Sequence, residues 1–200
     1  MKWPNLSADL SGVEKWGLWG EMIELSSIGI GYSKNSNESE NLGTGLVTRS
    51  VSSALTPRWG ITWRNKMRTN LTGNYSSSDN IQNTQTTRNS TFTLGVDFSY
   101  NLSAPNGLGI PGLRGIRFKS RMDLNATLNY SRNKNVRVEG SGFEVPLGGS
   151  KTLSLSPGAR YQFSDKLSGG LTLRYNRTSR DLTGEVLTSF GISLNTSFIF

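Results

Sequence analysis

Apolar side chains recur at every second position in one segment of this chain after another. The longest such segment runs from Ile116 to Tyr130, where the even positions are apolar except Ser120 and the odd positions hold Arg, Lys, Asp, Asn or Thr. A period of two places neighbouring side chains on opposite faces of a β-strand. The sequence therefore predicts an all-β protein whose strands carry one apolar and one polar face.

About nine alternating segments of roughly ten residues follow one another along the chain. Two of the connections between them, Arg64 to Lys66 and Ser164 to Lys166, are tight turns that leave no room for the crossover of a parallel pair. We therefore predict an antiparallel sheet. The stretch from Ser11 to Glu24 does not alternate and is predicted to hold a helical turn. Four polar stretches are predicted to be loops: "SKNSNESENLGTG", "SSSDNIQNTQTTRNS", "EGSGFEVPLGGS" and "NRTSRDLTGE".

Three features favour a transmembrane β-barrel over a soluble β-sandwich, whose strands also alternate. The segment from Ile116 to Tyr130 is far longer than the about five or six residues of an average strand. The tight turns and the predicted long loops fall at opposite ends of the strands, as in outer-membrane barrels. Tyrosines lie near the ends of six strands, as in an aromatic girdle: Tyr32, Tyr75, Tyr100, Tyr130, Tyr161 and Tyr175. We expect residues 1–200 to form a single domain that is a segment of an antiparallel transmembrane β-barrel in the bacterial outer membrane.

The composition limits the chemistry that the chain can perform. It contains neither histidine nor cysteine, which excludes Ser-His-Asp catalysis, thiol nucleophiles and metal sites built on those ligands. We expect no enzyme activity and no cofactor or metal. The formal charge of +8 indicates an anionic partner, such as outer-membrane lipid or lipopolysaccharide. Nucleic acid is not expected as a partner, because the Lys and Arg residues are scattered singly along the chain.

Basic residues on the polar parity of the strands are the first candidate for a functional surface. They are predicted to form a basic wall that faces the lumen of the barrel: Arg68, Arg117, Lys119, Arg121, Arg160 and Arg174. Two interpretations are open. A lumen wall needs only polar residues to be solvated, and these cations then have no special role. Alternatively, the wall contacts an acidic segment that passes through the barrel or plugs it.

The alternating stripe at the end of the chain is the second candidate. It consists of Phe190, Ile192, Leu194, Phe198 and Phe200. A terminal strand that alternates and closes on Phe resembles the C-terminal signal that the bacterial outer-membrane assembly machinery reads. An edge strand must also pair before it can persist in hydrocarbon, because its backbone groups find no water there. We therefore expect these residues to serve as an assembly signal.

Three segments carry a resemblance to a known family: "WPNLSADLSGVEKW" near the start, "LTPRWGITWRNKMRTNLTGNYS" in the middle, and the stretch from "TLSLSPGARYQF" to the end. Together they resemble the terminal region of the SprA-like proteins, the giant gliding-motility barrels that form the outer-membrane translocon of the type 9 secretion system. The resemblance implies passage of folded proteins across the outer membrane. It also implies secreted cargo proteins and plug or lipoprotein subunits as partners, and no catalytic residue.

The resemblance covers only the last strands of a far larger barrel. An odd number of strands is unusual for a single-chain bacterial barrel, and the start "MKWPNLSADL" lacks the apolar core of a secretory signal. We therefore expect the chain to be the C-terminal part of a longer polypeptide that carries its export signal elsewhere. Two alternatives remain: a small stand-alone barrel with a structural or porin-like role, and a barrel enzyme, which the lack of histidine disfavours.

Overall fold

The structure, a computed structural model, describes residues 5–15, 20–41, 46–82, 85–104, 118–139, 142–164 and 166–198. These residues form nine strands and one short 3₁₀ turn. No helix in these ranges is long and apolar enough to cross a membrane. In chain order the elements are β1 (Leu6–Ser11), the 3₁₀ turn (Val13–Lys15), β2 (Ile23–Asn41), β3 (Leu46–Trp63), β4 (Arg68–Gln82), β5 (Gln85–Ala104), β6 (Phe118–Val138), β7 (Glu144–Gln162), β8 (Leu167–Arg180) and β9 (Val186–Phe198).

All nine strands belong to one sheet, in which each strand pairs with the next along the chain. Every pairing is antiparallel, from β1 with β2 to β8 with β9. The predicted all-β antiparallel class and the number of strands are confirmed. The sheet is not closed, because β1 and β9 lie at its two edges and do not pair with each other. Barrel closure is therefore not a property of the described residues alone.

One face of the sheet is apolar across all nine strands. The register pairs Leu6 with Tyr32 at one edge and Tyr175 with Phe190 at the other. In the middle of the sheet, Val96 pairs with Leu128, which pairs in turn with Leu155. Because side chains alternate along a strand, in-register pairing puts all the apolar parities on the same face. The predicted alternation thus becomes one continuous apolar surface, and the opposite face is polar.

Almost none of this apolar surface is buried inside the protein. Among the described residues, three hydrophobic side chains are buried, namely Ile23, Ile61 and Val136, whereas 27 large hydrophobic side chains are exposed. The accessible surface is 14164 Å², against roughly 9,300 Å² for a globular monomer of this mass. No second layer covers the apolar face within the described ranges. The stability of the sheet must therefore come from the ladder of backbone hydrogen bonds between its strands and from whatever covers the apolar face.

The tight turns and the helical turn lie where the sequence predicts them. The amide of Trp63 donates to the carbonyl of Met67 at 2.8 Å, and the amide of Phe163 donates to that of Leu167 at 2.9 Å. Lys66 adopts a φ of 69°, which closes the first turn. The 3₁₀ turn lies within the stretch that does not alternate. The Pro- and Gly-rich connection between β5 and β6 lies outside the described residues.

The prediction of four long polar loops is wrong. Strand β2 continues through the first of these stretches to Asn41, and β4 and β5 are joined by residues 83–84 alone. The other connections at this end have four or five residues, at 42–45, 139–143 and 181–185. Ser, Thr and Asn on both faces suit a strand whose two faces meet water, since main-chain groups alone make the ladder. The contrast between tight turns and long loops is therefore absent.

Candidate lipid-facing surface and polar face

Aromatic residues border the apolar face at both ends of the strands. We call the border beside the tight turns the inner border and the other the outer border. The outer border comprises Tyr32, Tyr75, Phe92, Tyr130, Tyr175 and Phe190. The inner border comprises Trp63, Tyr100, Tyr161, Phe163 and Phe198. The apolar parity has no polar residue for nine residues in β8, from Leu167 to Tyr175, and for eleven in β5, from Phe92 to Leu102. Tilted strands need about 9–11 residues to cross a bilayer.

Two tryptophans on the apolar face have their polar atoms satisfied across the strands. The indole Nε1 of Trp59 donates to the Ser26 hydroxyl at 2.7 Å. That of Trp63 donates to the Thr69 hydroxyl at 2.9 Å. A polar group in hydrocarbon is costly unless it is paired. These pairs let indole rings and hydroxyl groups lie on the apolar face without exposing a free donor.

Small residues on the polar face let neighbouring side chains lie flat against the sheet. A Cβ added to Gly158 would come within 2.7 Å of the Asn125 side-chain oxygen. One added to Gly170 would overlap the side-chain oxygen of Asn195 in the same way. Larger residues at these positions would push the amides away from the backbone. Large side chains are therefore concentrated on the apolar face, and the polar face can form the concave side of a curved sheet.

The structure brings together part of the predicted basic wall. Arg121 donates from Nε to Asp123 at 2.7 Å and from Nη2 to the Asn101 side chain at 2.8 Å. Arg160 is the register partner of Asp123 and donates to the Ser168 hydroxyl at 3.0 Å. All of these except Asn101 line a shallow cavity of about 190 Å³, which Lys166 also lines. Exposed pairs of this kind contribute little stability, so the cluster is a hydrated, mixed-charge surface.

Arg68 and Arg174, which also belong to the predicted basic wall, do not join this cluster. Arg174 lies four residues along β8 from Gly170, the register partner of Arg160, which is about 13 Å at the rise of a strand. Arg68 is on β4, two strands before Arg121. Lys119 lies in β6, and Arg117 lies outside the described residues. The described side chains of the wall thus form one cluster and two single arginines, and their role in the lumen stays a prediction.

The predicted assembly signal lies on an edge strand. All thirteen residues of β9 are exposed, and its outer backbone edge has no ladder partner among the described residues. Leu194 is 80% exposed, whereas its register partner Leu171 on β8, which has a strand on each side, is 40% exposed. The difference is the contact that a further strand would supply. Phe190, Ile192 and Phe198 share the exposed parity with Leu194, and Phe200 lies outside the described residues.

Sequence reasoning missed a group of cations on the apolar parity. Just beyond the outer border, the same face carries Arg132, Lys151 and Arg177 on three neighbouring strands. We call these three residues the cation cluster. A repeated pattern could have revealed it, since the outer-border tyrosines are followed two positions later by a cation in "YSK", "YSR" and "YNR". These are Tyr32 with Lys34, Tyr130 with Arg132, and Tyr175 with Arg177.

An ion-pair network lies beside the cation cluster on the same face. Arg88 binds Asp79 through two nitrogens, at 2.7 and 2.9 Å, and approaches Glu144 at 3.4 Å. Lys134 donates to the other oxygen of Glu144. The hydrogen bond to Asp79 raises the pKa of Arg88. The hydrogen bond from Lys134, reinforced by attraction to Lys134 and Arg88, lowers the pKa of Glu144. Two cations and two anions thus neutralise each other.

No family assignment comes from comparison with known proteins. No protein-family model matches the chain, and no curated protein matches it at a significant level. Within the described ranges, no group of three acidic, cysteine or histidine side chains is placed to hold a metal ion. The two faces of the sheet, its edges and its charged groups are therefore the features that bear on function.

Proposed function

We propose that the chain forms part of the wall of a bacterial outer-membrane β-barrel. We further propose that this barrel is a non-catalytic conduit for protein secretion, of the kind used by the type 9 secretion system and its SprA-like translocons. The observation that carries the first proposal is the continuous apolar face of a single sheet, exposed between two aromatic borders. The second proposal adds the resemblance of the sequence to that family.

Lipid is the cover that best fits the apolar face. Soluble monomers seldom expose an apolar patch larger than a few hundred Å², and here one face of nine strands is exposed. The uninterrupted apolar stretch from Phe92 to Leu102 covers about 34 Å along the strand. With the strand tilt of about 35–45° found in membrane barrels, it spans about 25 Å of membrane thickness, the height of their apolar band. Aromatic residues at both limits fit the two interfaces.

The polar face suits a water-filled lumen. It carries Ser, Thr, Asn, Gly and a few charged groups, and none of its described charges is buried. Glycines there, such as Gly158 and Gly170, remove bulk from the side that a closing wall compresses. A porin-like interior and a secretion conduit both need such a hydrated surface. The mixed charges beside Arg121 offer contact points for a passing or plugging segment.

The unpaired edges favour a wall with further strands over a small barrel closed by this sheet alone. An open edge in hydrocarbon leaves N–H and C=O groups without partners, each at a cost of several kcal/mol. Strands from elsewhere must therefore flank β1 and β9. For β9, the apolar stripe from Phe190 to Phe198 is well placed for recognition by the outer-membrane assembly machinery, because its edge is free to pair during insertion.

Single-cysteine labelling tests the membrane proposal. The chain has no cysteine, so each introduced thiol is unique. Leu124→Cys and Leu128→Cys lie on the apolar face of β6, and the matched controls Asn125→Cys and Asn129→Cys lie on its polar face. In cells that carry the protein in the outer membrane, we expect a membrane-impermeant maleimide to react with the polar-face thiols alone. Equal labelling of both faces, or recovery of the protein as a water-soluble species, contradicts the proposal.

Photo-crosslinking tests the conduit proposal separately. A photo-reactive phenylalanine analogue is placed at Asn125 on the polar face or at Leu124 on the apolar face, in the organism that makes the protein. We expect the polar-face variant to capture proteins that the cell delivers to its surface, identified by mass spectrometry, and the apolar-face variant to capture none of them. If labelling shows a lipid-facing sheet but neither position captures such proteins, the conduit proposal fails and the membrane proposal stands.

A further inference from the structure

The apolar parity of the strands leads directly into the cation cluster beyond the outer border. We propose that Arg132, Lys151 and Arg177 bind the phosphate of a lipid headgroup, and that the occupant is phosphorylated lipid A in the outer leaflet. This inference rests on the proposed function, because it requires the apolar face to lie in an outer membrane. It adds a binding site and a ligand class to that surface.

The three cations are close neighbours in the sheet. Arg132 on β6 and Lys151 on β7 are direct register partners, so their Cβ atoms lie about 4.5–5.5 Å apart. The register partner of Lys151 on β8 is Ser179. Arg177 is therefore diagonal to Lys151, at about 7–8 Å. Long basic side chains at these separations can converge on one anion.

The charges of the cluster are not balanced by the protein. Asp181 pairs with Lys151 at 3.3 Å, but no carboxylate of the described residues pairs with Arg132 or Arg177. Like charges directly opposite each other in a sheet repel and destabilise the pairing. One carboxylate against three cations leaves a local excess of two positive charges. A phosphate group supplies the missing negative charge and accepts the bidentate hydrogen bonds that arginine offers.

The depth of the cluster matches that of a headgroup. Arg132 and Arg177 each follow a tyrosine of the outer border by two positions, and Lys151 precedes Leu153 by two. All three are therefore on the lipid-facing parity, one side chain beyond the apolar band. Tyrosine marks the membrane–water interface, and basic residues just outside it meet anionic lipid phosphates. The opposite face of the same strand segments meets water and would not contact lipid.

A cavity beside Arg132 explains why the ligand is an amphiphile. It has a volume of about 550 Å³ and a floor formed by Tyr75, Phe92 and Tyr130. The rings of Phe92 and Tyr130 meet edge to face, with centroids 6.2 Å apart. Among the cations at its rim, Arg88 and Lys134 are engaged by Asp79 and Glu144, which leaves Arg132 to a ligand. An apolar floor beneath a free arginine fits a lipid that has a phosphate at its end.

Lipid A binding to the full chain tests the inference. The protein is extracted from the outer membrane in mild detergent and titrated with micelles that contain bis-phosphorylated lipid A, and native mass spectrometry counts the bound lipid. The test variant is Arg132→Gln with Arg177→Gln. The control is Arg137→Gln with Arg180→Gln, which removes the same charge from the same two strands on the opposite parity. We expect about tenfold or greater loss of affinity in the test variant and a change within about twofold in the control.

Further arms identify the source of the phosphate and guard against misfolding. Dephosphorylated lipid A should bind about as weakly as the test variant binds lipid A, and inorganic phosphate alone should not compete at equal concentration. The variant Arg132→Lys with Arg177→Lys keeps the charge and should retain most of the affinity. Equal binding of dephosphorylated lipid, equal loss in the control, or competition by inorganic phosphate overturns the inference. If the unmodified protein is not recovered in the membrane at all, the proposed function itself fails.

Discussion

The strands of this sheet have two halves that share one ladder but differ in their side chains. In the inner half, between the two aromatic borders, one face is apolar and the other polar. In the outer half, beyond the outer border, both faces are mostly Ser, Thr, Asn and charged residues. Backbone pairing continues without a break from one half to the other, as in β2 with β3 and β4 with β5. Strand formation therefore does not require apolar and polar residues to alternate. Alternation is found only where one face of the sheet is apolar.

The two halves are also stabilised differently. The inner half has few ion pairs on its polar face and gains stability from whatever covers its apolar face. The outer half has no such cover and instead carries ion pairs across neighbouring strands, including Asp79 with Arg88 and Lys134 with Glu144. Burial of apolar area is worth about 25 cal/mol per Å², whereas an exposed ion pair contributes at most about 1 kcal/mol. The inner half should therefore be far more sensitive to substitution.

The largest expected effect is a charge placed on the apolar face of the inner half. Leu124→Arg puts a guanidinium between Tyr100 and Ala159, its register partners on β5 and β7. We expect the free energy of unfolding to fall by about 2 kcal/mol, at the lower end of the cost of arginine in the apolar band, because Leu124 lies between the bilayer midplane and the inner border. Urea unfolding of the membrane-inserted protein measures it. The neighbouring Asn125→Arg, on the polar face, should change this free energy by less than about 1 kcal/mol.

A second control places the same charge on the same face but in the outer half. Ser77→Arg lies on the apolar parity of β4, one side chain beyond Tyr75. We expect a loss of less than about 1 kcal/mol, as found for charges near the interface. If Ser77→Arg and Leu124→Arg cost the same, the boundary between the two halves is misplaced. If Asn125→Arg and Leu124→Arg cost the same, the assignment of the faces is wrong.

An intermediate effect is expected when the ladder of the outer half is broken. Asn89 on β5 pairs with Ser78 on one side and Asn135 on the other. Proline at this position removes an amide donor and is incompatible with an interior strand, at a local cost of about 1–2 kcal/mol. We expect faster hydrogen exchange at residues 76–82 and 131–138, with the inner half unchanged. Ser90→Thr, a good strand former, is the control.

Hydrogen exchange of the unmodified protein tests whether the outer half forms strands at all. If residues 76–82 and 85–91 exchange as fast as an unstructured peptide, these segments are loops and the outer half of the sheet does not form. Protection comparable to that of the inner half supports one continuous ladder. Asn89→Pro would then raise exchange in the outer half only, whereas in a loop it would change nothing.

Much of the inner half could be predicted from the sequence. Alternation identified nine strands, their faces and both tight turns, because a half-buried strand must repeat every two residues. The outer half could not be found in this way, since a strand such as Gln85 to Thr91 is polar on both faces and has the composition of a loop. This strand is ordered by backbone hydrogen bonds to its neighbours in the sheet, which its own sequence does not reveal. Sheet closure could not be inferred either, because it depends on partners for the edge strands.

The candidate sites show the same division. The cluster of Arg121, Asp123 and Arg160 depends on the register between β6 and β7, which cannot be read from the sequence. The parity of the arginines therefore predicted a wall, whereas the structure has one cluster and single residues. The cation cluster was overlooked because Arg177 lies in a stretch interpreted as a loop, and Arg132 and Lys151 lie just beyond the ends of the predicted strands. In the structure all three lie in strands, and parity places Arg132, Lys151 and Arg177 on the apolar face of the sheet.

The smallest expected effect concerns the ion pairs of the outer half and depends on pH. The hydrogen bond from Lys134 lowers the pKa of Glu144, with a further contribution from Arg88. A carboxyl whose pKa is lower in the folded state stabilises the fold above its ordinary pKa, and this contribution is lost as the pH falls through the lowered value.

We expect constant hydrogen-exchange protection of residues 136–138 and 144–146 from pH ~7 to ~5, and a fall below the ordinary glutamate pKa of about 4.3. The side chains of Glu144, Arg88 and Lys134 are 34–45% exposed, so solvent weakens the pairing and the change should be about two- to fivefold in exchange rate. Glu144→Gln should abolish it, and Glu139→Gln in the same hairpin should leave it intact. A fall that persists in Glu144→Gln would assign the pH dependence to another group and remove the network as a distinguishing property of the outer half.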